Sequence, residues 1–235
     1  MEEHTHRGEI YCGVRDSLPL GVALAAVGIA FGYAAHSAGL TWWLAGLMSL
    51  AAYGSPAQFL ALGLMDSAAA IPIIILAVFV ANLRYSLFAA SLAPHLRDCP
   101  RRRLYFLAYG LADGPYALTL QHKAANPSLL RLDRYLLGSL IVPIAVWVPS
   151  SIAGTMIGGA LPVTVAFGLG FATPAIFMTF LILAVRDAIG VAVMLCAGVG
   201  SVAAHDYLPT GAGTVTAMVA ASVIGGTLTW RRRQS

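Results

Sequence analysis

Apolar and polar positions are segregated along this chain in blocks rather than residue by residue. Eight apolar stretches, 17–37, 41–65, 70–95, 104–121, 135–160, 164–185, 188–205 and 211–230, alternate with short polar connections. A bilayer-spanning helix takes about 20 predominantly apolar residues, and every stretch is near that length or beyond it. The longest connection, 122–134, is polar and contains Pro127. No connection could hold a separate soluble domain. The pattern predicts an all-α integral membrane protein with a single transmembrane domain over 1–235, preceded by a polar segment at 1–16.

Composition agrees. Of 235 residues, 59% are hydrophobic and 10% charged, with a mean hydropathy of +0.79. A soluble domain carries about 25% charged residues, so this chain could not cover a globule with polar surface. Residues 1–16 show no secretory cleavage pattern. Cys12, Cys99 and Cys196 are odd in number and widely spaced. They fit neither a disulfide framework nor a metal site, and no cofactor or metal is expected. The net charge of +4 resides mostly in clustered arginines of the connections, which does not point to nucleic acid.

Charge should orient the spans. Arg97, Arg101, Arg102 and Arg103 form one basic connection, and Arg231, Arg232 and Arg233 lie at the C-terminal end. Both should face the cytoplasm, yet the five segments between them would put them on opposite sides. A weak repeat offers a solution. The stretches 53-YGSPAQFLALGLM-65 and 171-FATPAIFMTFLIL-183 each carry an aromatic, a small residue, Ser or Thr, then Pro-Ala and a nearby Phe, within the second and sixth segments. Pro56 and Pro174 each remove a helical hydrogen bond, and Ser55 and Thr173 suit the start of a new helix. Two broken, re-entrant segments would restore the charge rule. The connection 122–134 would then lie outside, and both termini would be cytoplasmic. Repeats at about 17–121 and 135–230 would enter from opposite faces. Such inverted repeats are common in secondary transporters, whose substrates bind at the midplane where broken helices meet. Prolines that only kink full spans remain the alternative.

Arg84, within 79-FVANLRYSLF-88, has apolar-rich sequence on both sides. A cation at the bilayer centre costs roughly 2.5–3.5 kcal/mol on insertion scales, so it needs a partner. Asp113 lies about as far after Arg103 as Arg84 lies before Pro94. At 1.5 Å per residue both sit about 15 Å from the same face. An Arg84–Asp113 pair is therefore expected, either as a structural staple or as a ligand- or proton-handling site. The following 112-ADGP-115 predicts a helix break right after the acid. Gln58 and Asn82 add neutral polar groups at similar depth. His95, beside Pro94, is expected as an interfacial cap or a proton-exchange group. Asp66, Asp187 and Asp206 fall at the edges of connections.

The order 16-DSLPLGVALAAVGIAFGYAAHSAGL-40, 53-YGSPAQFLALGLM-65, 82-NLRYSLFAASLAPHLR-97 with its basic stretch, and Asp113 resembles the AzlC family, large subunits of branched-chain amino acid exporters. The similarity spans essentially the whole chain and is most specific over 16–115. The resemblance implies ion-driven export of valine, leucine, isoleucine and sometimes methionine. It also implies a small hydrophobic AzlD-type partner subunit. General physics is compatible with a zwitterionic substrate. Half-helix N-termini at Ser55-Pro56 and Thr173-Pro174 suit a carboxylate, Asp113 suits an ammonium group or a proton, and Phe59 and Phe177 could line an apolar pocket.

The sequence therefore predicts a multi-pass protein of the cell inner membrane, a transporter and not an enzyme. Its substrate-binding residues would be Ser55, Gln58, Asn82, Arg84, Asp113 and Thr173, with Asp113 and His95 in proton coupling. Membrane lipid, an amino acid and the AzlD-type subunit are the expected partners. A channel or structural membrane subunit for another small polar solute is the alternative. A channel needs a continuous polar stripe, whereas these polar groups cluster at one depth.

Overall fold

The computed structural model describes residues 2–97, 99–126, 131–160, 188–205 and 212–234, with the isolated positions 175, 178, 181, 182 and 185. Thr173 and Pro174, the second expected break, lie outside the described residues. The described residues form helices and no strand: α1 (Glu2–Ser37), α2 (Trp42–Ala51), α3 (Ser55–Asp66), α4 (Ile71–Leu92), α5 (Arg101–Gly110), α6 (Asp113–Ala125), α7 (Leu132–Gly158), α8 (Ala188–His205) and α9 (Ala212–Gln234). A single 3-10 turn, Ala93–His95, follows α4. Gly8–Ser37, Ile71–His95 and Leu132–Gly158 are long and apolar enough to cross a membrane. The polar segment, described from Glu2, continues as helix into the first span. The chain divides into two compact units, residues 1–55 with 82–166, and residues 56–81 with 167–235.

Two of the predicted segments are split in two, and prolines explain where. A proline ring clashes with the carbonyl four residues before it. For Pro56 that residue is Ala52, the C-cap of α2. For Pro115 it is Leu111, the C-cap of α5, with φ −68° and ψ 110°. The break expected at Ser55-Pro56 is present, since α2 ends at Ala51 and α3 starts at Ser55. The stretch 104–121, read as one crossing, is instead the pair α5 and α6. Its break precedes Asp113 and does not follow it: Gly114 and Pro115 lie in the first turn of α6, where a proline costs no hydrogen bond.

In the first unit, α1 and α7 form the frame. Glycines on each helix press on the other's backbone. An added Cβ at Gly13 would lie 2.2 Å from the Tyr135 carbonyl oxygen, and one at Gly32 would lie 2.2 Å from that of Ser151. Gly138 approaches Ile10 and Gly154 approaches Ile29 in the same way. Helices held by packing, without a hydrophobic drive between them, use small residues for such close contact. The partners advance together along both chains, so α1 and α7 are parallel. Segments 1 and 5 therefore run in the same direction, and the opposite-face arrangement that an inverted repeat would give them is absent.

The halves of the broken segment can be traced against this frame. Arg103, near the start of α5, pairs with Asp133 at the start of α7, and Gly110 at the end of α5 meets Leu140 and Ile144. So α5 runs alongside α7. Gly114 meets Leu20 of α1, whereas His122 pairs with Glu9 at 3.0 Å. So α6 runs back against α1. A buried cluster of Leu92, Cys99, Leu107, Leu132 and Leu136 joins the end of α4 to the same end of the bundle. The connection after α6 therefore lies at the end that holds Arg97–Arg103, which corrects its expected placement on the opposite face.

In the second unit, Leu64, Ala69 and Ala77 close the turn between α3 and α4. There α8 and α9 pack antiparallel, Val193 against Gly225 and Gly200 near Ala217.

Candidate functional site

The helix breaks of the first unit converge on Arg84. Gly110 lies beside Leu140 and Ile144, about 12–18 Å along α7 from its first residue at 1.5 Å per residue. That is close to the middle of an apolar core about 30 Å thick. Tyr109, just before Gly110, donates its hydroxyl to the Leu50 carbonyl, one of the last-turn carbonyls of α2 that have no intrahelical partner. Its ring stacks on Tyr53 at 5.8 Å between centroids. Gly54 lies against α4: a Cβ there would sit 3.0 Å from the Tyr85 hydroxyl oxygen. The C-terminal ends of two half-helices, the start of α6 and the middle of α4 thus share one depth.

The expected pair is formed. Arg84 Nη2 donates to Asp113 Oδ2 at 2.8 Å. The same nitrogen donates to the Tyr85 hydroxyl at 3.2 Å, and the guanidinium carbon lies 5.0 Å from the Tyr85 ring centre. Arg84 Nε is buried without a hydrogen-bond partner. Asp113 is the first helical residue of α6, where the partial positive charge of the helix end favours an anion. Below the pair, Phe88 stacks on Tyr116 at 4.1 Å and Ser91 hydrogen-bonds the Tyr116 hydroxyl at 2.9 Å, which fixes α6 to α4. The side chains of Arg84 and Asp113 remain 33% and 40% exposed. They are held in place, and the chain's own packing does not seal them.

Asn82 lies on α4 two residues from Arg84, about 200° around the helix, because neighbouring residues step by about 100°. Gln58 is fully buried within the second unit. Ser55 starts α3. Thr173 lies outside the described residues. His95 is exposed on the 3-10 turn at the end of α4, beyond Leu92 and away from Asp113. Among the described residues no group of acids, histidines and cysteines has the makings of a metal site.

Two features were not anticipated. One is the tyrosine set around Arg84. Its signal is present in the sequence as the dipeptide Tyr-Gly, at 53–54 within the first break and at 109–110 just ahead of the second. The other is a polar network at the end of the bundle. His122 pairs with Glu9 and stacks on Tyr135 at 3.8 Å, and Tyr135 donates to Asp16 at 2.8 Å. This network spans α1, α6 and α7 and has no local sequence signature.

Comparison with known proteins gives concordant results. The chain is 27% identical over 180 residues to the inner membrane protein YgaZ of Escherichia coli K12, covering 72% of this chain and 71% of that one. It is 26% identical over 162 residues to an uncharacterized membrane protein of Helicobacter pylori 26695, covering 69% and 68%. No solved structure matches it. The family model described as AzlC protein matches residues 19–161, the stretch from α1 to the end of α7 that holds the frame and the Arg84–Asp113 pair. This is a helical membrane protein, and it belongs to the AzlC family.

Proposed function

We propose that the chain is the large subunit of a two-component secondary transporter that exports the branched-chain amino acids valine, leucine and isoleucine, with methionine a further candidate, by ion-coupled alternating access. The observation that carries this reading is the Arg84–Asp113 pair at a mid-depth helix break, half-open and flanked by half-helix ends. Ionisable groups inside a membrane are costly and mark substrate or ion pathways. Broken helices at the midplane are the usual means of holding a small zwitterion and its coupling ion. Asp113 serves the ammonium group or the coupled proton, and the membership of the AzlC family supports a transport role.

The subunit sits in the inner membrane with a small AzlD-type partner. Nine of its 14 lysines and arginines fall in residues 1–16, 97–103 and 122–134. The face carrying them is cytoplasmic by the positive-inside rule. The test is leucine counterflow in proteoliposomes, with and without the partner. Saturable exchange of labelled leucine is expected. Non-saturable flux would favour a channel, and no flux with the partner present would end the proposal.

A further inference from the structure

Three hydrogen-bond donors around Arg84 have no acceptor among the described residues. Arg84 Nε is buried and unpartnered. The Tyr85 hydroxyl accepts from Arg84 Nη2, which leaves its own proton unused. The Tyr53 ring stacks on Tyr109, but its hydroxyl makes no hydrogen bond there. Tyr109 is different, because its proton is committed to the Leu50 carbonyl. Buried polar groups in native proteins are almost always satisfied, and in an apolar bilayer water is not generally at hand to do it. Of the three, Arg84 Nε is the buried orphan, and the Tyr85 and Tyr53 hydroxyls add donors that are not committed elsewhere among the described residues.

We infer that Arg84 Nε with the hydroxyls of Tyr85 and Tyr53 forms a carboxylate-binding edge of the mid-depth site. A carboxylate accepts at two oxygens and matches this donor set. Asp113 Oδ2 accepts from Arg84 Nη2, the nitrogen that also donates to the Tyr85 hydroxyl, so Asp113 excludes a second anion there and leaves its free oxygen for the ligand's ammonium group. The site therefore has a polarity, with carboxylate toward α4 and ammonium toward α6. Gly54 is part of the design: a Cβ there would stand 3.0 Å from the Tyr85 oxygen and would press on the hydroxyl. The inference rests on the transport reading only for taking the ligand to be an amino acid.

The test uses the full chain in lipid nanodiscs and three probes: leucine, 4-methylpentanoate, which lacks the ammonium, and leucinamide, which lacks the carboxylate. Binding is read from ligand-induced thermal stabilisation, and transport from counterflow. Leucine and 4-methylpentanoate are expected to bind, with leucinamide at least about tenfold weaker. Tyr85→Phe and Tyr53→Phe should each weaken both carboxylate ligands by about tenfold, the scale of one hydrogen bond to a charged group, and leave leucinamide unchanged. Both variants keep ring shape; the unliganded melting temperature of Tyr53→Phe should match the parent's, whereas Tyr85→Phe also loses the hydrogen bond from Arg84 and its ligand shifts are read against its own unliganded value. Equal binding of leucine and leucinamide overturns the inference. So does the absence of binding by either carboxylate, or equal loss or no loss for all three probes in both variants. Carboxylate binding without leucine counterflow would instead sink the transport reading alone.

Discussion

At Arg84 and Asp113 the competing effects are desolvation and pairing. Removing one partner of a fully buried pair costs about 3–5 kcal/mol, and removing both costs less. With 33% of the Arg84 side chain and 40% of the Asp113 side chain exposed, this pair falls below that range. Arg84→Ala and Asp113→Asn should each reduce the amount of inserted protein. The double variant Arg84→Ala/Asp113→Asn should recover insertion but not leucine export, since the groups that handle the ligand are gone. Immunoblots of membranes beside export assays separate the cases. Export recovered with insertion would make the pair a staple, and normal export in either single variant would remove both roles. Cys99 gives a second prediction at this scale. Burial pushes its thiol above the ordinary range, and the thiolate is the reactive form. At pH 8 it should react with a maleimide far more slowly than a cysteine introduced at exposed Arg101, with the difference narrowing as pH rises. Equal rates, read by mass spectrometry, would show that the Leu92–Leu136 cluster does not cover it.

At the scale of elements, the two short pairs matter more than the long spans. Pro143 and Pro149 lie inside α7, which stays unbroken over 27 residues. Pro56 and Pro115 end a helix four residues earlier. The difference is in what precedes them: Gly-Ser before Pro56 and Ala-Asp-Gly before Pro115 favour turns and caps, whereas Ile-Val and Trp-Val before the α7 prolines do not. The re-entrant path of α5 and α6 predicts a labelling pattern. In a background with Cys12 and Cys196 replaced by serine, Arg101→Cys and Asn126→Cys should react with an impermeant maleimide from the same side, and Ser37→Cys from the other. Opposite sides for 101 and 126 would restore a full crossing at 104–121. The glycine contacts predict a second result. Gly32→Leu would drive a side chain into the Ser151 backbone, where even a Cβ would be 2.2 Å away. It should abolish stable insertion, whereas Gly63→Leu on α3, with open space at its Cβ, should insert normally. Overpacking of a close contact costs about 1–3 kcal/mol or more. Equal yields of the two variants would mean that α1 and α7 are not in contact in the membrane.

At the scale of the whole molecule, the parallel frame gathers most of the cationic charge at one end. Around Asp133, the guanidiniums of Arg103 and Arg131 bind one carboxylate, and Arg134 lies 3.9 Å from it. The same end carries the Glu9–His122 pair that holds α6 against α1. That end should be inaccessible to impermeant reagents in intact cells and accessible in inverted vesicles, because positive charge is retained in the cytoplasm. The opposite result would reverse the membrane orientation assigned to the chain. The proposed AzlD-type partner belongs to this scale too. Full leucine export by the chain in a host without any AzlD-like protein would remove the need for one.

What the sequence determined by itself is what composition and local sterics control. Apolar blocks dictate membrane helices, because a 10% charged chain has no other way to hide its surface. Pro56 dictates a break, because its ring excludes the carbonyl at 52. Arg84 demands a partner, because no bare cation is stable at that depth, and Asp113 could be singled out by counting residues from a shared face. Tertiary structure alone decided the rest. Whether 104–121 crosses or turns back depends on which helix its halves lie against, and that depends on Leu140, Ile144 and Leu20, far away in the chain. The direction of α7 relative to α1 came from glycine pairs 122 to 125 residues apart, such as Gly13 with Gly138 and Gly32 with Gly154, whose complementarity no local window contains. Hydropathy has no sense of direction: a segment reads equally apolar whichever face it enters from. Only the packed structure could say which ends meet, and it is those meetings that bring Tyr53, Tyr85 and Tyr109 around Arg84.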